Sequence, residues 1–152
     1  MTMIATFEVL TEAECRRLLA EQEVGRVAFS SDEGFPVVLP VNFVIDGDLI
    51  AIRTDLGSKT DKIPLHRVAF EVDGVERWNH SGWSVLVQGA GQDATDAIGH
   101  RYEDLRRRGL ATWAPGDKTH WLTIDIHRIS GRRIVTKPEA PTTWLYDLDD
   151  EQ

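Results

Sequence analysis

The stretch Ile52-Arg53-Thr54-Asp55-Leu56-Gly57-Ser58-Lys59 closes a predicted strand and then brings an arginine, two hydroxyls, a glycine and a lysine together within seven residues. A phosphate dianion requires convergent donors and positive charge, and short polar side chains at a strand end leave backbone N–H groups free to join them. The stretch therefore predicts a phosphate-binding turn. Gly-Ser-Lys alone is short enough to occur in many surface turns, so it indicates a phosphate site only in combination with the elements around it.

Size and composition favour one soluble domain. The chain has 152 residues, of which 41% are apolar, and no apolar run approaches the roughly 18 residues of a membrane span. We expect a single domain over residues 1–152, with a core from about 10 to 135 and a C-terminal extension over 136–152. The first residues lack the pattern of a secretory signal, and the lone Cys15 is typical of a reducing compartment, so a cytoplasmic location is predicted.

The charge balance bears on partners. The formal net charge is −8, with no basic tract to offset it, which disfavours nucleic acid as a partner because the phosphate backbone would be repelled. No membrane partner is expected either. The five histidines share no zinc-binding spacing, so no metal site is predicted.

Hydrophobic spacing and turn residues predict two helices and six strands. Thr11 and Glu14 form a capping-box pattern for a helix over 12–22, and Thr95 is the expected N-cap of a second helix over 96–108. Strands are predicted over 26–30, 36–45, 49–54, 68–73, 83–88 and 120–129. In the last of these, Leu122, Ile124 and Ile126 share one face. The glycine pair at 89 and 91 predicts a bulge or a barrel bend.

The order of these elements resembles the pyridoxamine 5′-phosphate oxidase-like flavoproteins. The motifs that carry the resemblance are Gly34-Phe35-Pro36, Ile52-Arg53-Thr54, Ser58-Lys59, Val68 to Val72 after Pro64, and Trp83-Ser84-Val85-Leu86-Val87-Gln88-Gly89. The resemblance implies a mainly β fold, a six-stranded antiparallel split β-barrel with peripheral helices. It also implies FMN bound at a homodimer interface.

The resemblance implies a set of cofactor-binding residues. The family contacts the flavin ring and ribityl chain with the second half of strand two, here Leu39-Pro40-Val41-Asn42. Thr54, Ser58 and Lys59 fall on phosphate-contacting positions, and Arg53 is a candidate to replace the basic residue that the family often has at position 39. Ser84 stands where the family places a polar residue against the flavin, and Trp83 beside it is a candidate for the ring or for the barrel wall.

The activity implied is hydride or electron transfer to a small organic substrate, with no catalytic side chain required. The segment Ile129-Ser130-Gly131-Arg132-Arg133-Ile134 departs from the basic substrate-binding end of the pyridoxal-forming oxidases and resembles a smaller-barrel branch, so pyridoxamine phosphate is a disfavoured substrate. Two alternatives stay open: a deazaflavin coenzyme in place of FMN, and a non-catalytic flavin-binding, haem-binding or structural barrel dimer. Trp144 and Tyr146 are the candidates for the dimer interface.

Overall fold

The computed structural model describes residues 2–54 and 67–139, and these contain seven strands and two helices. In chain order they are β1 (Met3–Val9), α1 (Glu12–Ala20), β2 (Val24–Ser30), β3 (Pro36–Asp46), β4 (Leu49–Thr54), β5 (Val68–Glu76), β6 (Ser81–Asp93), α2 (His100–Arg108) and β7 (His120–Pro138).

Six of the strands close into an antiparallel barrel. The strand order is β1-β7-β4-β3-β2-β5-β6, and β6 also pairs with β7, so the sheet returns on itself from β7 around to β6. This confirms the predicted mainly β, six-stranded split barrel. β1 was not predicted: it lies outside the ring, where Phe7 pairs with Ile134 near the far end of β7. The described sheet therefore extends from Met3 to Pro138.

α1 packs its apolar side into the barrel. Thr11 accepts from the Glu14 N–H at 3.2 Å, and the Glu14 carboxylate accepts from the Thr11 N–H at 2.7 Å, so the predicted capping box is present. The helix ends at Ala20, two residues before the predicted end. Cys15 is fully buried among the core residues, and this burial raises the pKa of its thiol, which makes it a packing group.

A second apolar layer covers the outside of β4 and β7. The barrel interior contains Leu122 and Ile124, as the predicted alternation requires, whereas Trp121 packs with Leu49 and Leu105 on the opposite face. Both faces of this part of β7 are thus buried, since α2 and the residues before it cover the outer one. An alternating strand predicts one buried face only, so the sequence pattern did not predict this layer.

α2 begins at His100, so the predicted start at residue 96 and the predicted Thr95 cap are wrong. The Thr95 hydroxyl instead accepts from the Trp121 N–H at 3.0 Å, and the Thr95 N–H donates to Asp93 at 2.9 Å. A threonine hydroxyl accepts a backbone N–H in the same way at a helix start and in a loop, so the local sequence did not distinguish the two structures.

The predicted bulge is confirmed. The register between β6 and β7 shifts between Gln88 and Gly89, and a Cβ at Gly89 would overlap the Asp125 carbonyl oxygen. Glycine is therefore required at this position by the close approach of the two backbones.

Candidate functional site

The open edge of β3 is the main feature of the site. β3 pairs with β2 along its length from Pro36 to Asn42, but β4 pairs with β3 only from Phe43 to Asp46. Among residues 2–54 and 67–139, no strand covers the other edge of β3 from Pro36 to Asn42. This is the split of the barrel, and it contains the predicted ring-binding residues 39–42.

Backbone hydrogen bonds show which groups face the open edge. The Phe43 N–H donates to the Glu23 carbonyl, toward β2, at 3.2 Å. Because successive residues of a strand point to opposite edges, Leu39 and Val41 direct their N–H and C=O groups toward β2, whereas Val38 and Asn42 direct theirs to the open edge. Pro40 is at a position whose backbone faces the open edge, so its missing N–H breaks no hydrogen bond with β2, and a proline is tolerated in this strand.

The side chains of residues 39–42 have different environments. Leu39 and Val41 pack against the barrel core, and Pro40 is exposed. The Asn42 amide donates to the Glu23 carbonyl at 3.2 Å and accepts from the Trp113 N–H at 2.8 Å. Asn42 is thereby a clamp between the start of β2 and the loop after α2, and its backbone is the part that faces the open edge.

Arg53 and Thr54, at the end of β4, lie on opposite faces. Thr54 is buried on the face of Ile52, inside the barrel. The Arg53 guanidinium is on the outer face: it donates to the Lys118 carbonyl at 2.9 Å and to the Leu110 carbonyl at 3.2 Å, and lies 5.8 Å from the Trp121 ring centroid. The structure therefore does not bring these two side chains together, and the Arg53 charge is directed at backbone carbonyls.

The rest of the predicted phosphate turn, with Ser58 and Lys59, lies outside the described residues, as do Trp144 and Tyr146. Their roles stay predictions from the sequence.

Trp83 and Ser84 line a separate groove of about 770 Å³. Trp83 covers Gly74, where a Cβ would come 2.5 Å from the indole nitrogen, and it packs partly against the barrel core. Ser84 is exposed and pairs with Asp73 and Arg132 on the neighbouring strands. The lining is mostly apolar and includes the exposed side chains of Phe7 and Val75.

The two halves of the predicted site are far apart in one chain. Thr54 pairs with His120 at the start of β7, and Ser84 pairs with Arg132 of the same strand. Twelve residue steps, from His120 to Arg132, separate these two positions on β7 and correspond to roughly 40 Å of extended strand. One chain therefore does not place Ser84 and Thr54 around a single ligand.

An ionic cluster beside the open edge was not predicted. Arg26, which pairs with Pro40, lies 3.1 Å from a Glu71 carboxylate oxygen and 3.6 Å from one of Asp73. Burial, and then the nearby charge of Asp73, raise the pKa of Glu71.

The sequence contains one signal for the open edge of β3. Pro36 and Pro40 are four residues apart, so their backbones face the same edge of the strand, and two prolines on one edge indicate that no neighbouring strand pairs with it.

Comparison with known proteins places the chain in a family. The sequence profile described as pyridoxamine 5′-phosphate oxidase matches residues 11–133. The chain belongs to this family. The uncharacterized protein Rv0080 of Mycobacterium tuberculosis is 31% identical over 140 residues, which cover 87% of this chain and 88% of that protein.

Two solved structures resemble this chain over nearly their whole length. The FAD binding protein of Mycobacterium smegmatis is 26% identical with a TM-score of 0.61, and the alignment covers 84% of this chain and 98% of that one. A candidate pyridoxamine 5′-phosphate oxidase from Corynebacterium glutamicum is 28% identical with a TM-score of 0.68, again over 84% and 98%. Both have the split barrel described above.

The described residues, 2–54 and 67–139, contain neither a membrane-spanning helix nor a cluster of metal ligands. No helix there is long and apolar enough to cross a membrane. No group of three or more His, Cys, Asp or Glu side chains in residues 2–54 and 67–139 is arranged to hold a metal ion.

Proposed function

We propose that the protein is a flavin-dependent oxidoreductase that binds FMN along the open edge of β3. The observation that carries this proposal is the uncovered backbone from Pro36 to Asn42, which lies beside the end of β4. The relative from Mycobacterium smegmatis is named as an FAD binding protein, which supports a flavin in this fold.

The donor set of this edge fits the ring. The polar end of an isoalloxazine ring alternates hydrogen-bond acceptors with one donor. The edge of β3 offers the Pro40 carbonyl and the Asn42 N–H to this end of the ring, and the Val38 N–H, roughly 13 Å further along the strand, to the ribityl chain. The bound flavin would supply hydride or electron transfer, and the protein would supply binding and orientation.

The same proposal requires a homodimer. Trp83 and Ser84 lie at the opposite end of β7 from Thr54, so they reach a flavin on β3 only if they come from a second copy of the chain. The substrate would be a small organic molecule on the exposed face of the ring. A deazaflavin coenzyme is the alternative cofactor, and reconstitution with each one separately distinguishes them.

The phosphate would be held by the segment that follows Thr54. Lys59→Ala should weaken FMN binding by about 1.5 to 3 kcal/mol, or roughly 10- to 150-fold in Kd, because a charge-assisted hydrogen bond is lost. Fluorescence titration measures this change. Lys62→Ala removes the same charge three residues away and is the matched control. An unchanged Kd in Lys59→Ala would reject the role of this lysine.

A second candidate is a barrel that binds a cofactor without turnover. Two observations favour this candidate. The Arg53 guanidinium contacts backbone carbonyls on the outer face, and position 39, where the family often has a basic residue, is a leucine. The two candidates differ in one measurement. A flavin enzyme, once photoreduced, should be reoxidised by a quinone or nitro-aromatic acceptor faster than free FMN, whereas a storage barrel should protect the flavin from that acceptor.

A further inference from the structure

A second cavity lies along β3, on the opposite edge of the strand from the proposed flavin site. It has a volume of about 560 Å³, which falls in the range of small-molecule sites. Its walls are the last turn of α1, residues 42–45 of β3, and the loop after α2, which contributes Leu110 and Trp113.

The β3 backbone presents unpaired polar groups to this cavity. β3 changes partners here, because β2 pairs with it up to Asn42 and β4 pairs with it from Phe43 onward. The Phe43 N–H is directed toward β2, where it donates to the Glu23 carbonyl, so the Ile45 N–H and C=O are directed to the same side, past the first residue of β2. Among residues 2–54 and 67–139, no hydrogen bond joins either Ile45 group to another residue. The wall therefore holds a donor beside an acceptor, both available to a ligand.

An aromatic side chain forms a second wall. Trp113 is 71% exposed, but its loop is fixed: its N–H donates to the Asn42 side chain at 2.8 Å, and Arg53 donates to the Leu110 carbonyl at 3.2 Å. An exposed indole that is held by its backbone offers a flat apolar surface for stacking. Asn42 and Ile45 are three residues, or roughly 10 Å, apart along β3, so a single-ring ligand can reach both the indole and the strand edge.

The charges around the cavity favour a neutral ligand. Arg108, the cation among the lining residues, lies 3.0 Å from an Asp104 carboxylate oxygen and 3.6 Å from one of Asp46, so its charge is already paired. Glu23, which also lines the cavity, is exposed. An anion would be repelled by this carboxylate.

The unpaired edge is too short for an added peptide strand. It begins at Phe43 and β3 ends at Asp46, whose carbonyl accepts from the Arg101 guanidinium. A small ring that carries an acceptor next to a donor satisfies both Ile45 groups without a longer edge.

We propose that this cavity binds a neutral, planar cyclic amide or imide, of the kind that pyrimidine bases contain. The ligand carbonyl would accept from the Ile45 N–H, the ligand N–H would donate to the Ile45 carbonyl, and the ring would stack on Trp113. Ile45 and the open edge from Pro36 to Asn42 face opposite sides of β3, so this site does not depend on the proposed function.

The test is a titration followed by the amide NMR signals of the isotope-labelled protein. The probe is 1-methyluracil, whose ring places a carbonyl beside an N–H. The matched control ligand is 1,3-dimethyluracil, which lacks that N–H. The variants are Trp113→Ala and, as control, Trp78→Ala, because Trp78 is also exposed but lies in the turn between β5 and β6. The spectra of the variants would also verify that they fold.

We expect the Ile45 amide signal to shift and saturate with 1-methyluracil, because this N–H gains an acceptor. 1,3-Dimethyluracil should bind about tenfold more weakly, because the Ile45 carbonyl is left without a donor. Trp113→Ala should raise the Kd of 1-methyluracil at least fivefold through loss of the stacking surface, and Trp78→Ala should leave it unchanged.

Equal affinities for the two probes, an unchanged Kd in Trp113→Ala, or no shift of the Ile45 amide at the solubility limit of 1-methyluracil would each overturn the inference. A shift at Val38 in place of Ile45 would put the probe on the flavin edge and would also overturn it. If the protein binds 1-methyluracil as expected but binds no flavin, the proposed function fails while this site stands.

Discussion

At the scale of single residues, Asn42 shows how one side chain can be structural within a binding strand. Its amide contacts the Glu23 carbonyl and the Trp113 N–H, and only its backbone reaches the open edge of β3. A polar side chain in a predicted cofactor strand therefore need not contact the cofactor.

Asn42→Ala should lower the free energy of unfolding by about 1 to 2 kcal/mol, because two solvent-exposed hydrogen bonds to backbone groups are lost. Flavin affinity should change less than threefold. Urea unfolding and flavin titration of the same variant measure both quantities. A large loss of flavin affinity with unchanged stability would mean that the side chain, rather than the backbone, binds the ligand.

The sequence predicted the residues of β3 and β4 but not the groups that their side chains contact. Leu39 to Asn42 and Arg53 to Thr54 were identified from motifs, and the alternation of a strand then puts Arg53 and Thr54 on opposite faces. On the outer face the guanidinium donates to the Lys118 and Leu110 carbonyls and lies near the Trp121 ring. Those residues are more than 50 positions away in the sequence, so local pattern contained no information about the contact.

At the scale of elements, the capping box of α1 couples the helix to pH. The hydrogen bonds from the Thr11 N–H and hydroxyl hold the pKa of Glu14 below its ordinary value. A carboxyl whose pKa is lower in the folded state stabilises the protein above its unfolded-state pKa, and that contribution is lost as the pH falls through the folded pKa.

Glu14→Gln should therefore destabilise the protein at pH 7, and the difference from the wild type should shrink below about pH 4.5. Urea midpoints measured from pH 3 to pH 7 show this dependence. A difference that stays constant over the whole range would exclude the charge of Glu14 as the cause. Thr11 and Glu14 were both recognised in the sequence because a capping box is a local motif.

β1 and the start of α2 illustrate the limit of local pattern. β1 forms a strand because it pairs with the far end of β7. The Thr95 hydroxyl accepts a hydrogen bond from the Trp121 N–H instead of capping a helix. Both outcomes depend on partners that are distant in the sequence, whereas the bulge at Gly89 was predicted because glycine itself marks close backbone approach.

At the scale of the whole molecule, the barrel separates the predicted site into two parts. Thr54 pairs with one end of β7 and Ser84 with the other, so the proposed flavin site requires two copies of the chain. Sedimentation equilibrium at micromolar concentration should give twice the chain mass of 17.1 kDa. A monomer that still binds flavin would place the whole site on one chain and remove Trp83 and Ser84 from it.

The most direct test of the account is amide hydrogen exchange of β3 with and without flavin. The Val38 and Asn42 N–H groups face the open edge, whereas those of Leu39 and Val41 already bond to β2. Saturating flavin should therefore slow exchange at Val38 and Asn42 by at least tenfold and leave Leu39 and Val41 nearly unchanged. Flavin that binds without protecting Val38 and Asn42 would contradict the proposed site.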